Sequence, residues 1–153
     1  MRKKGFALLA AGVIVLGGLF WVNRCGYEID DRVSDAEQDP LDGIHFALKA
    51  DRRDGELRIR NDSERYIVLD FGRKPLAVEI RQEDGWHRIR STRLWRAEPG
   101  AIPEHTAYSL DFSWRDVIDG PLKPGTYRAI LFYGDGKADA YAFFSTITEF
   151  TVD

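Results

Sequence analysis

Glu56-Leu57-Arg58-Ile59-Arg60 alternates apolar with charged residues, and Val78-Glu79-Ile80-Arg81 repeats the pattern. Successive side chains of an extended strand point to opposite faces, so this period of two marks strands with one buried and one solvated face. A helix would need apolar residues three and four apart. The pattern recurs through residues 44–153, broken by Asp54-Gly55, Asn61-Asp62-Ser63, Asp84-Gly85, Pro99-Gly100, Pro124-Gly125 and Gly134-Asp135-Gly136. These residue types either supply positive φ or fix a turn. Eight strands are predicted: Ile44 to Ala50, Glu56 to Asn61, Tyr66 to Phe71, Ala77 to Gln82, Trp86 to Arg90, Ala107 to Phe112, Gly125 to Phe132 and Tyr141 to Val152. Ser113 to Asp119, SWRDVID, is the exception and reads as one helical turn. Short strands with regular turns predict an all-β antiparallel sandwich.

Local chemistry sharpens that expectation. Asp84-Gly85 between two alternating runs predicts a hairpin closed by a type I′ turn, which needs positive φ. Leu122-Lys123-Pro124-Gly125-Thr126-Tyr127 has the pattern of a tyrosine corner, in which a Tyr entering a strand bonds back to upstream backbone. Trp86 and Trp114 are large enough to anchor the core. Trp86, Trp114, Pro124, Gly125 and Tyr127 are therefore assigned structural roles.

The sandwich is not the whole chain. Residues 5–22, GFALLAAGVIVLGGLFWV, are uncharged and mostly apolar, and they follow the basic start MRKK. As a helix they extend about 27 Å, close to the hydrocarbon thickness of a bilayer. Arg2, Lys3 and Lys4 then stay in the cytoplasm as residues 1–4, and the rest is exported. The expected location is the cell membrane, single-pass, with an extracytoplasmic C-terminal domain. A cleaved signal peptide wants small residues at its cleavage site, and Val22-Asn23-Arg24 supplies none. The same three residues depart from a lipobox before Cys25, which reads as a juxtamembrane thiol.

From residue 23 to 43 the chain is strongly acidic, with seven carboxylates against Arg32 after Gly26. Such a segment has little apolar surface to offset ordering, and its like charges repel, so a flexible stalk is predicted. The calcium-loop spacing D-x-[DN]-x-[DN]-G is missing from it.

The order of Asn61-Asp62-Ser63 after a strand, then VEIRQEDGWHRI, YSLDFSW and GPLKPGTYRAI, resembles bacterial immunoglobulin-like domains of Gram-positive envelope proteins. The similarity runs from about Gly43 to Phe132. It implies an immunoglobulin-like, Greek-key antiparallel β-sandwich, often membrane-anchored, with no established enzymatic activity. The chain is also similar in pattern to bacterial proteinase inhibitors on a related sandwich. Neither resemblance carries over an active site.

Charge and motif searches narrow the function. The net charge of −3 divides into four unopposed bases in the first 26 residues and −7 on the remainder. A net-acidic body is unsuited to nonspecific nucleic-acid binding, which depends on neutralising phosphates. One cysteine, Cys25, excludes an intramolecular disulfide and a cysteine-rich zinc module. His45, His87 and His105 lack zincin spacing, no G-x-S-x-G elbow occurs, and no cofactor is implied. Asp111, Asp116 and Asp119 around Trp114 are better read as caps and solvated ends than as paired catalytic carboxylates. The Asn61-Asp62-Ser63 sequon reads as a turn.

Binding is the class with residues behind it. Arg58, Arg60, Arg81, Arg88, Arg90, Arg93 and Arg96 project from polar strand positions and the segment after them, with Trp86 and Trp95 interspersed. Arg and Trp are favoured at recognition surfaces. An envelope protein or an anionic wall polymer is the expected partner, against a plainer reading in which Glu56, Glu79 and Glu83 neutralise the arginines. The alternative function is proteinase inhibition by a loop from Arg93 to Ile102, anchored by Trp95 or Arg96. Phe132, Tyr133, Tyr141, Phe143 and Phe144 form a second candidate contact patch.

Overall fold

The structure is a computed structural model that describes residues 27–69, 74–93, 95, 100–137 and 142–153. Two antiparallel sheets pack against a common core. The strands are β1 (Glu28–Val33), β2 (Ile44–Ala50), β3 (Asp54–Asn61), β4 (Ile67–Val68), β5 (Leu76–Arg81), β6 (Trp86–Arg90), β7 (Ala101–Ile102), β8 (Thr106–Ser113), β9 (Gly125–Asp135) and β10 (Phe143–Val152). The larger sheet has the order β1-β6-β5-β9-β4-β7, with β10 on the other edge of β9, and the smaller one has the order β2-β3-β8. The long β9 supports the larger sheet, pairing β10 from Gly125↔Val152 to Gly134↔Phe143 and β5 from Tyr127↔Ile80 to Leu131↔Leu76.

The inner faces follow from the alternation. Leu57 and Ile59 on β3, Val78 on β5, Ile89 on β6 and Tyr127, Ala129 and Leu131 on β9 are buried together. The helical turn α1 (Trp114–Ile118) is capped by Ser113, whose side chain accepts from the Arg115 amide, and it ends at Asp119 in the left-handed region at φ 72°. It carries Trp114, Val117 and Ile118 into the core. Trp114 is fully enclosed, meets Phe112 edge-on at 4.8 Å and donates its Nε1–H to the Asp51 carbonyl at 2.9 Å. Gly55 leaves room for the Phe112 ring, since a β-carbon there would stand 2.5 Å from its Cζ.

Several expectations are corrected. The flexible stalk over residues 23–43 is replaced, from Tyr27 onward, by ordered structure. Tyr27 is buried, Glu28–Val33 pairs with β6, and residues 34–39 form a strap over the outer face of the larger sheet. Along that strap Ser34 bonds Glu79, Ala36 accepts from Arg128, and Asp39 pairs with Ser145 of β10. The acidic charge is matched locally: Arg90 bonds Glu28 at 2.7 Å and Asp30 at 3.1 Å. Alternation of Tyr27 and Ile29 with Glu28 and Asp30 was the strand signal in this stretch.

The β5–β6 hairpin exists, but its loop is one residue out of the expected register. Gln82 and Gly85 bond each other across the turn, so Glu83 and Asp84 are the central pair, and neither has positive φ. Gly85 follows them with positive φ, 152°, and also serves a close approach, because a β-carbon there would meet Val33 Cγ1 at 2.7 Å. The strand expected over Tyr66 to Phe71 shortens to Ile67–Val68, with 70 and 71 outside the described residues. Among the described residues no helix is long and apolar enough to cross a membrane; residues 1–26, with the apolar run and Cys25, lie outside them.

Candidate interaction surface

The tyrosine corner forms as its sequence pattern predicts. Tyr127 Oη donates to the Lys123 carbonyl at 2.7 Å, just after Pro124 and Gly125 turn the chain into β9. Tyr27 adds a second hydroxyl, 2.7 Å from Tyr127 Oη, and accepts from the Lys123 amide at 3.3 Å. Burial first, and then the Tyr27 partner, raise the Tyr127 phenol well above its ordinary range. The corner is therefore a structural clasp.

Asn61 is structural as well. Its fully buried amide donates to the carbonyls of Arg65 at 2.7 Å and Pro103 at 3.0 Å, while its oxygen accepts from the Ser63 amide at 3.0 Å. The sequon side chain is thus committed to holding a turn.

The arginines do not make one face. Arg58 and Arg60 lie on the outer face of the smaller sheet, opposite Ser109 and Ala107, and are paired with Glu56 at 2.7 Å and Asp62 at 2.6 Å. Arg81, Arg88 and Arg90 lie on the outer face of the larger sheet. Arg93 bonds Asp119 at 2.5 Å, and Arg96 lies outside the described residues. Period two gives each strand's outward side correctly. It says nothing about which sheet the strand joins, and that assignment divides the cluster.

At the centre of the larger sheet's outer face is Glu79, fully buried although it alternates with core residues. Its Oε1 accepts from Ser34 Oγ at 2.6 Å and Arg88 Nη2 at 2.8 Å, and its Oε2 accepts from Arg128 Nε at 2.6 Å. Burial pushes this carboxyl up. The hydrogen bonds from Ser34, Arg128 and Arg88 outweigh that and hold it below the usual carboxylate range. The strap supplies Ser34, so a segment that reads as stalk completes the network.

Trp86 is not the core anchor expected from its size. It is half-buried on this outer face, with the Arg128 guanidinium 4.9 Å and the Arg81 guanidinium 5.3 Å from its ring. Both distances fit cation–π attraction. Arg128 is held in place by Glu79, whereas Arg81 is exposed and has no carboxylate partner among the described residues. The result is a flat aromatic plate between a fixed and an accessible cation.

Beneath it, on the inner face, His87 joins three elements. Its Nδ1 lies 2.8 Å from the Asp30 carbonyl and its Nε2 lies 2.8 Å from Asp84 Oδ1. Both neighbours are acceptors, so both ring nitrogens donate only in the imidazolium form. The Asp30 carbonyl first, and then Asp84, raise the His87 pKa above its ordinary value.

The remaining candidates are dispersed. Trp95 is half-buried with its ring 5.6 Å from Phe112, packing on the core instead of standing free as a loop anchor. In the aromatic patch, Tyr133 is buried and stacks with Phe144 at 6.0 Å; Phe143 is exposed, and Tyr141 is outside the described residues. Asp119 is turned toward Ser91, Thr92 and Arg93, away from any pairing with Asp116 or Asp111. His45 lies by Asp62 and His105 by Glu64, each apart from His87. Among the described residues no three metal-ligating side chains cluster.

No family model matches the chain, and no curated protein matches it in sequence.

Proposed function

We propose that the protein is a membrane-anchored, extracytoplasmic, non-catalytic binding module of the bacterial cell envelope, with an immunoglobulin-like sandwich that meets its partner through the Trp86 face. The observation that carries the binding reading is the Arg81–Trp86–Arg128 stack on the larger sheet. Trp and Arg dominate binding energy at interfaces, and rigid side chains lose less entropy on association. Here Glu79 fixes Arg128 before any partner arrives. The Tyr127–Lys123 bond supports the immunoglobulin-like assignment. The apolar run of residues 5–22 behind three cations supports the anchor. The partner is an envelope protein or an anionic wall polymer.

Only residues 23–26 separate the apolar run from buried Tyr27, a reach of at most about 14 Å. The partner is accordingly met close to the membrane. Alkaline extraction of membranes followed by protease added from outside tests the anchor: the chain stays with the lipid and its domain is accessible. Release into the alkaline supernatant refutes the anchor. Chemical crosslinking in native cells, comparing wild type with the Arg81→Glu/Trp86→Ala pair, tests the face through loss of the captured partner.

A further inference from the structure

The larger sheet carries a second feature beyond the Trp86 plate, where β5 begins and β6 ends, and it reaches core residues Val117 and Ile118 of α1. Two adjoining concavities of about 420 and 240 Å3 share Lys74, Arg88 and Phe132. The larger lobe reaches Ala77, whose small side chain leaves space, and Arg90; the smaller is walled by Pro75 and exposed Phe143. Every charged side chain lining either lobe is a cation, and no carboxylate lines them among the described residues. Lys74 Nζ is directed by the Ser91 carbonyl, and Arg88 is fixed by buried Glu79, leaving part of its guanidinium for another acceptor. A concavity of about 550 Å3 on the smaller sheet is lined by Arg58 and Arg60, which Glu56 and Asp62 pair; in the two lobes Arg88 is paired by Glu79 and Arg90 by Glu28 and Asp30, and Lys74 is the cation with no carboxylate partner among the described residues.

We propose that these lobes bind a small amphipathic anion: an aryl or acyl group carrying one carboxylate, phosphate or sulfonate. The apolar part lies against Phe132, Pro75 and Phe143, and the anionic group sits between Lys74 and Arg88. Mostly apolar concavities of this size with a few convergent polar groups are the usual form of ligand sites. Fixed cations at an apolar wall favour an anion that brings its own hydrophobic surface, because burial and charge then act together. This goes beyond the binding-module reading and needs neither the anchor nor the Trp86 plate, since Arg81 and Trp86 line neither lobe.

The test titrates full-length protein, held in nanodiscs of zwitterionic lipid, with 2-naphthalenesulfonate while following the backbone amides of Ala77, Arg88 and Phe132 by NMR. Saturable shifts at these amides are expected, and Lys74→Glu should weaken binding by about tenfold or more, the equivalent of one lost ion pair. The uncharged 2-naphthalenesulfonamide should bind wild type and variant equally. Lys74→Ala, which introduces no repulsion, should fall between them. Absence of saturable shifts overturns the proposal, as does sulfonate affinity indifferent to position 74. Equal loss of both probes in Lys74→Glu also overturns it, because that marks a collapsed wall and not an anion site.

Discussion

The hydroxyls of Tyr27 and Tyr127 meet at 2.7 Å across 100 residues of sequence. This bond joins the first described residue to the corner where β9 begins, so the segment that reads as stalk is clasped to the sandwich. Tyr127→Phe removes the donor to the Lys123 carbonyl and leaves buried polar groups unpaired, at a cost of about 1–3 kcal/mol. Tyr27→Phe spares that donor and should cost less. Urea unfolding of both variants, with unchanged slope, checks the ordering.

Glu79 should be the most sensitive charged residue. Removing one partner from a buried ion pair leaves uncompensated charge, and Glu79→Gln should cost about 3–5 kcal/mol. Its folded pKa is lowered, so its contribution is fully present above the unfolded carboxylate value and disappears as pH falls through the folded one. Unfolding midpoints measured from neutral to acid pH should therefore fall more steeply for wild type than for Glu79→Gln. Parallel curves would remove Glu79 from the acid response.

His87 gives the opposite sign. Its folded pKa is raised, so the clip between β1 and the hairpin is fully present below the unfolded histidine value and is lost as pH rises through the folded one. Titration of its imidazole by NMR should give a midpoint above about 6.5. Asp84→Asn should lower that midpoint, because the second acceptor loses its charge. A wild-type midpoint at or below the ordinary value contradicts the imidazolium assignment.

The packing of Gly55 is tested by adding one methyl. Gly55→Ala places a β-carbon 2.5 Å from the Phe112 ring, and overpacking of this kind costs about 1–3 kcal/mol. Trp114→Ala, which empties a fully enclosed site, should cost about 3–5 kcal/mol. Thermal unfolding of the two variants checks both values.

What the sequence discloses, and what it conceals, divides along physical lines. The strands Ile44–Ala50 and Trp86–Arg90 match their expected limits because alternation and flanking turns are local properties. The tyrosine corner is legible for the same reason, its partners lying four residues apart. Glu79 is not, because its burial comes from Ser34 and Arg128, 45 and 49 residues away. β1 is concealed by its charge: Glu28 and Asp30 look solvated until Arg90 is placed beside them. Trp86 carries a size that suggests core, while its position in the alternation beside Arg88 and Arg90 puts it on the outer face.

The most direct measurement compares the two outer faces. A photoreactive amino acid is placed in the full-length chain at Gln82, exposed in the β5–β6 turn and next in sequence to Arg81, or at Lys49, exposed on the smaller sheet, and irradiated in native cells. A single discrete adduct from position 82, absent from position 49 and abolished by Arg81→Glu, is the expected result. Equal crosslinking from both positions, or an adduct from position 49 alone, would contradict binding through the Trp86 face.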